Sequence, residues 1–370
     1  MFQRWLLLAL LLASTARADL PVETTGGVAV LPARLGPHWA WAADVVQRRI
    51  ALVDLESGRT LGVIDGGFGV PSGLFPSQRR EIYLPETHYS RGSRGERTDV
   101  VTIYDAASLA AVAEVRIPPG RAINALSSVN AALSDDERFA MLCADGALLT
   151  VSLDPAGHEA GRQRSQPFFD PIQDPVTEKA VRHGDSWLFV SFEGLVLPVD
   201  VSGPTPSFGE RWSLLDSTDR KDGWRIGGQQ HLALHEPTGR LYSLVHQGGP
   251  DTHKQSGTEL WVYDLAARRR VQRIPLRSPG FTYLGVPIGP DWIWPFNRIQ
   301  DWLVAYLPEL GVGSVAVTQD DRPLLVTGSN FSGSLAIYDG LSGDFLRRVF
   351  PGNMTTLGLQ TPWTGAETKP

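Results

Sequence analysis

Leu335-Ala-Ile-Tyr-Asp339, followed by Gly340-Leu-Ser-Gly343, has the form of a strand that ends in an aspartate and turns back on itself. The same pattern recurs along the chain. It stands as Ile50-Ala-Leu-Val-Asp54 with Leu-Glu-Ser-Gly58, Val101-Thr-Ile-Tyr-Asp105, Leu149-Thr-Val-Ser-Leu-Asp154, Val196-Leu-Pro-Val-Asp200 and Leu260-Trp-Val-Tyr-Asp264. β-Branched and aromatic residues suit a strand. Aspartate closes a hairpin by bonding the backbone just beyond it, and a following glycine accepts positive φ. The aspartates are spaced by 51, 49, 46, 64 and 75 residues, close to the ~40–50 of one four-stranded propeller blade. Other strands fall between the repeats, among them Glu81–Leu84, Phe139–Cys143, Trp187–Val190, Leu241–Val245 and Leu324–Thr327. No sustained helical spacing accompanies the period, which sets helical solenoids aside. A β-sandwich with chance hairpins is the competing architecture, but one pattern repeating over almost the whole chain favours an all-β propeller with six repeats.

The 370 residues form, on this reading, one domain over 19–370 behind a leader over 1–18. Arg4 supplies the positive charge and Trp5–Ala13 the apolar run. Ala16-Arg17-Ala18 supplies the small-x-small cleavage pattern before Asp19. The alternative is a retained anchor, for which the run is shorter than the ~20 residues a spanning helix needs. No later segment is long and apolar enough to span a bilayer, so the mature chain is expected outside the cytoplasm. A formal net charge of −6 argues against nucleic acid as partner. Cys143 is the single cysteine, so no disulfide can form within the chain, and a buried inert thiol is its default role.

The search for catalytic chemistry is negative. There is no nucleophile elbow, P-loop or cysteine pair, so no catalytic residue is assigned. Gly311-Val-Gly313 imitates a dinucleotide fingerprint without the βαβ unit that would give it meaning. His231 and His235 share a strand face but lack a third ligand, and no metal site is assigned. Two segments break the rhythm. Residues 203–230 read as loop and contain Asp222-Gly-Trp-Arg225. Residues 279–310 carry Trp292, Trp294, Phe296 and Trp302, and an amphipathic helix is expected near 291–307, packed on its own domain or presented to a partner or membrane.

Val63-Ile-Asp-Gly-Gly-Phe68, Arg94-Gly-Glu-Arg-Thr-Asp99, Asp222-Gly-Trp-Arg225 with Gly227-Gly228, and His253-Lys254 occur in an order that resembles the heavy, non-quinone subunit of methylamine and aromatic amine dehydrogenases, from about residue 50 to about residue 350. The resemblance implies a seven-bladed propeller in a periplasmic heterotetramer. A small, cysteine-rich light subunit would carry tryptophan tryptophylquinone and oxidise a primary amine to aldehyde and ammonia. Electrons would pass to a small copper protein. This chain would then hold no cofactor itself and would supply scaffold, channel and assembly surface. A binding or assembly module that has lost the dehydrogenase partner is the other reading.

The chain departs from the family at several places. About one blade is missing between Asp105 and Asp154, and Cys143 lacks the partner that the missing blade would bear. Asp44, with Trp39 and Trp41, stands near the family's channel phenylalanine. The residues expected on a partner or channel face are Trp41, Asp44, Arg91, Arg94, Glu96, Arg97, Asp99, Asp222, Trp224, Arg225 and His253. The arginines among them either dock a partner or brace neighbouring blades through buried carboxylates.

Overall fold

The computed structural model describes residues 36–44, 49–65, 70–71, 75–76, 81–90, 95–105, 110–116, 131–133, 138–142, 147–153, 160–167, 177–184, 186–200, 207–227, 231–249, 252, 255–277, 282–283, 286–287, 295, 298, 311–329, 334–350 and 358–360. Strands dominate throughout, in successive antiparallel sheets. The first contains β1 (Trp39–Asp44), β2 (Arg49–Asp54) and β3 (Thr60–Asp65). In the second, β4 (Val70–Pro71) and β5 (Phe75–Pro76) share the inner edge of β6 (Glu81–Tyr89), followed by β7 (Arg97–Asp105) and β8 (Ala111–Arg116). The third runs β9 (Ala131–Leu133), β10 (Arg138–Leu142), β11 (Ala147–Leu153) and β12 (Ala160–Pro167).

The fourth sheet has β13 (Thr177–His183), β14 (Ser186–Ser191) and β15 (Leu195–Asp200), with β16 (Ser207–Phe208) and β17 (Trp212–Ser213) sharing its outer edge. A one-and-a-half-turn helix, α1 (Ser217–Lys221), leads into the fifth. There β18 (Trp224–Ile226) and β19 (Leu232–His235) share β20 (Arg240–Gln247), and β21 (Glu259–Asp264) and β22 (Arg269–Pro275) complete the sheet. A two-stranded ribbon, β23 (Thr282–Tyr283) with β24 (Val286–Pro287), precedes the sixth four-stranded sheet, β25 (Val312–Val317) to β26 (Leu324–Ser329), β27 (Leu335–Asp339) and β28 (Phe345–Val349). The last strand, β29 (Gly358–Gln360), pairs with β1, so the two ends of the fold share the first sheet.

The packing shows why this is a propeller and not a sandwich. Successive side chains of a strand point to opposite faces, and here both faces are buried. From β21, Trp261 and Tyr263 pack toward the fourth sheet while Leu260 and Val262 pack toward the sixth. From β27, Ala336 and Tyr338 face the fifth sheet, and Leu335 and Ile337 face the first. The inner strands follow the same circuit: β9 lies beside β13, β13 beside β19, β19 beside β25 and β25 beside β29. A sandwich would leave one face of each sheet to solvent. Double-sided burial also explains why the repeats are nearly continuous apolar runs. Tyr242 ties adjacent sheets by donating its hydroxyl to the Gly340 carbonyl at 2.6 Å, and burial pushes its pKa up to about 12.

All six aspartate-ending repeats are third strands of their sheets. Where the turn is described, the aspartate does what its sequence position implies. Asp54 Oδ1 accepts from the Glu56 N–H at 2.9 Å, Asp264 Oδ1 from Ala267, and Asp339 Oδ1 from Leu341 and Ser342. Four residues after the aspartate the backbone turns left-handed, at Gly58 (φ +72°), Gly343 (φ +79°) and Arg268 (φ +48°).

Residues 1–18 and Cys143 lie outside the described residues, as does the 291–307 segment except Pro295 and Arg298. Among the described residues no helix is long and apolar enough to cross a membrane.

Candidate functional site

Each sheet has two ends. At one end lie the turns joining second to third strands and the connections between sheets, and Asp44, Arg97 and Trp224 lie there. Asp44 ends β1 and Arg97 begins β7, each flanking such a turn. Trp224 pairs with Gln247, the last residue before the corresponding turn of the fifth sheet. Trp41 lies within β1, opposite Leu52 and Gln360, and is fully buried. Glu96 is exposed and closes the Ser90 loop through its backbone: its N–H donates to Ser90 Oγ at 2.8 Å and its carbonyl accepts from the Ser90 N–H at 2.9 Å. Arg91, Arg94 and His253 lie outside the described residues.

One segment read as loop proves in part to be regular. Arg97 and Asp99 are strand residues of β7, and Trp224-Arg225-Ile226 forms β18, where 203–230 was expected to be loop. A three-residue strand is too short for alternation to declare itself in sequence. Asp222 caps the end of α1 and gives its carbonyl to Gln247 Nε2 at 3.2 Å.

The described arginines among the expected face residues, Arg97 and Arg225, engage acids of the same chain. Arg97 Nε donates to both oxygens of Asp99 at 3.0 Å, and Asp99 is buried. Arg225 pairs with Glu193, in the β14–β15 turn of the preceding sheet, at 3.2 Å, and donates to the Trp224 carbonyl at 2.7 Å. The Ile226 N–H donates to the Phe192 carbonyl at 3.0 Å, so β18 is pinned across the sheet boundary by backbone as well.

Beneath β18 lies a layered cluster that composition did not disclose. Trp224 and Trp261 are in contact, ring centroids 4.9 Å apart and tilted by 49°. Arg270 covers Trp261 at 3.9 Å and donates to both oxygens of Asp219 on α1, at 2.9 and 3.0 Å. Arg273 lies over Trp224 at 4.9 Å and holds Glu259 with two bonds of 2.8 Å, while Trp261 Nε1 donates to the same carboxylate at 2.8 Å. Burial alone would raise the Glu259 carboxyl, but the bonds from Arg273 and Trp261 together hold it below the usual range. Cation over ring over ring is an anchor for the α1 connection. The signal in sequence was the Arg270-x-x-Arg273 spacing opposite Trp261, legible only once the register is known.

His231 and His235 are buried, and His235 is a structural bond-maker: its Nε2 meets the Asp320 carbonyl at 2.9 Å. Among the described residues no three His, Cys, Asp or Glu side chains converge as a metal site. The Gly311 motif belongs to the inner strand β25, not to a dinucleotide turn.

The family model for the methylamine dehydrogenase heavy chain (MADH) matches residues 40–142 and 133–279, from β1 to just past β22. The chain belongs to the methylamine dehydrogenase heavy-chain family. It is 22% identical over 344 residues to a methylamine dehydrogenase heavy chain of Methylophilus methylotrophus, covering 80% of this chain and 76% of the relative. It is 24% identical over 343 residues to one of Paracoccus versutus, covering 80% and 72%. A third, from Methylobacillus flagellatus, is 24% identical over 332 residues, covering 74% and 82%. Among solved structures it is similar to a functionally unknown protein from Desulfotomaculum acetoxidans, at a TM-score of 0.46 and 10% identity, covering 87% of this chain and 99% of that one. It is also similar to the dihydro-heme d1 dehydrogenase NirN, at a TM-score of 0.44 and 14% identity, covering 92% and 78%.

Proposed function

We propose that this family member works as the heavy subunit of a periplasmic, quinone-dependent amine dehydrogenase. It would hold a small cysteine-rich light subunit and help form the path by which a primary amine reaches it. The observation that carries the proposal is the family match across the first five sheets. In the proposed complex tryptophan tryptophylquinone would belong to the light subunit and would supply the electron uptake of amine oxidation, with a small copper protein as acceptor. Among the described residues, Trp224 and Trp261 are in contact, and the pair is buried, capped by two arginines and bonded to Glu259.

This chain's contribution is geometric. The buried Trp–Arg layers and the Arg225–Glu193 tie fix the spacing of the fourth and fifth sheets, and hence the relief of the end that carries Asp44, Arg97 and Asp222. One observation favours the second reading, an assembly module without dehydrogenase activity: Arg97 and Arg225 are engaged within the chain. Two measurements separate the readings. The isolated chain should reduce no dye with methylamine or an aromatic amine. Adding a small, cysteine-rich light subunit of the family should give reduction, and failure to give it would support the second reading. Native protein beginning at Asp19 would support export.

A further inference from the structure

At the opposite end of the sheets, where first strands turn into second, a run of imidazoles and carboxylates crosses three consecutive sheet boundaries. Between the fourth and fifth sheets, His183 Nδ1 meets Glu236 Oε2 at 3.0 Å, and the Gly184 N–H donates to Glu236 Oε1 at 2.7 Å. Between the fifth and sixth, the Glu236 N–H donates to Gln319 Oε1 at 3.0 Å, Gln319 Nε2 donates to the Leu234 carbonyl at 2.7 Å, and His235 reaches the Asp320 carbonyl. Between the sixth and first, Asp320 Oδ2 meets His38 Nε2 at 2.9 Å, and His38 Nδ1 meets Glu56. His38 immediately precedes β1, so this last link crosses onto the sheet in which β29 closes the ring.

His38 has an acceptor carboxylate at each ring nitrogen. A neutral imidazole carries one N–H and can donate at one nitrogen only; both bonds require the imidazolium. His183 likewise gains a full ion pair with Glu236 only when charged. We propose that this run is a proton-dependent clasp, closed when His38 and His183 are charged and loosened along the ring-closing seam as they lose their protons.

Among the described residues the facing charges are few. His183 faces Glu236, with Arg182 nearby; His235 faces Asp320 and Arg240; His38 faces Glu56 and Asp320. The bond to Glu236 raises His183 above 6.5, so its contribution is complete below that value and is lost as pH rises through the raised one. Burial would raise Glu236, but the bonds from His183 and Gly184 lower it, so its contribution is lost only in acid. His235 is lowered, chiefly by burial, and is neutral both folded and unfolded well above 6.5. The alkaline limb therefore belongs to His183, and the part of His38 rests on the carboxylates that face its two ring nitrogens.

The test is thermal melting of the full mature chain from pH 6 to 8.5, for the wild type, Glu56→Gln and His183→Gln. Glu56 is 62% exposed, so its replacement leaves the packing intact. Each variant should melt ~2 °C below the wild type at pH 6 and converge on it by pH 8.5. Hydrogen exchange of residues 39–44 and 358–360, corrected for intrinsic rate, should quicken with pH in the wild type and be fast at every pH in His38→Gln. Gaps between variants and wild type that stay constant with pH, or a seam whose exchange ignores pH in both proteins, would overturn the clasp.

Discussion

Replacing Arg270 by alanine should cost the folded chain about 2–3 kcal/mol, far more than the neighbouring Arg273→Ala. Arg270 makes two charge-assisted bonds to Asp219, whose side chain is only 11% exposed, and covers Trp261 at 3.9 Å. A bond to a charged group contributes about 1.5–3 kcal/mol, and a partly desolvated cation over a tryptophan about 1. Stranding a buried acid costs about 3–5 kcal/mol, but Asp219 keeps the Asp216 N–H at 3.1 Å, which lowers the penalty. Arg273 is 47% exposed, and an exposed pair is worth about 0.2–1 kcal/mol, even with good geometry toward Glu259. Arg270→Lys should fall between, because an ammonium keeps the charge but not the flat stack on Trp261 or the paired bonds. Urea unfolding of the isolated chain, followed by tryptophan fluorescence, measures all three. Equal losses for the two alanine variants, or a loss below about 0.5 kcal/mol for Arg270→Ala, would refute the anchoring role of the Asp219–Arg270–Trp261 layer.

Trp224→Ala should destabilise the isolated chain by about 3 kcal/mol or more, since the ring is buried against Trp261, and calorimetry of the lone chain would show it. Gly227→Ala should fail to reach native stability: an added Cβ would stand 2.0 Å from Nδ1 of the buried His246 and 3.1 Å from the Gln255 carbonyl, and soluble yield with melting temperature reports it. Arg268→Gly should raise stability by about 0.5 kcal/mol, because relieving a left-handed arginine outweighs an exposed contact with Glu210. A fall in stability would show that the Glu210 and Trp212 contacts matter more than the backbone.

The repeats made the architecture legible because each third strand ends in the residue that caps its own turn, and Asp54, Asp264 and Asp339 make those bonds. Arg268 shows the limit of the pattern, occupying with strain the place where two other turns put glycine. The family was legible from short motifs such as Asp222-Gly-Trp-Arg225, but not the roles of their residues. Whether an arginine braces or docks depends on which carboxylate lies across the next sheet, and Glu193 is 32 positions from Arg225 in sequence. The Trp261 layer and the His38–Asp320 contact were hidden for the same reason. Their partners are 51 and 282 positions apart, the first joined when α1 packs on the fifth sheet and the second only when the last sheet meets the first.

On the proposed function, this chain holds a quinone-bearing partner. Affinity purification of the tagged chain from its own host, with mass spectrometry of what remains bound at physiological salt, tests it most directly. The expected result is a small, cysteine-rich subunit in equal amount, with two cross-linked tryptophans and amine-dependent bleaching of a visible quinone band. Recovery of the tagged chain alone, or with a partner lacking any quinone, from cells growing on an amine would contradict it.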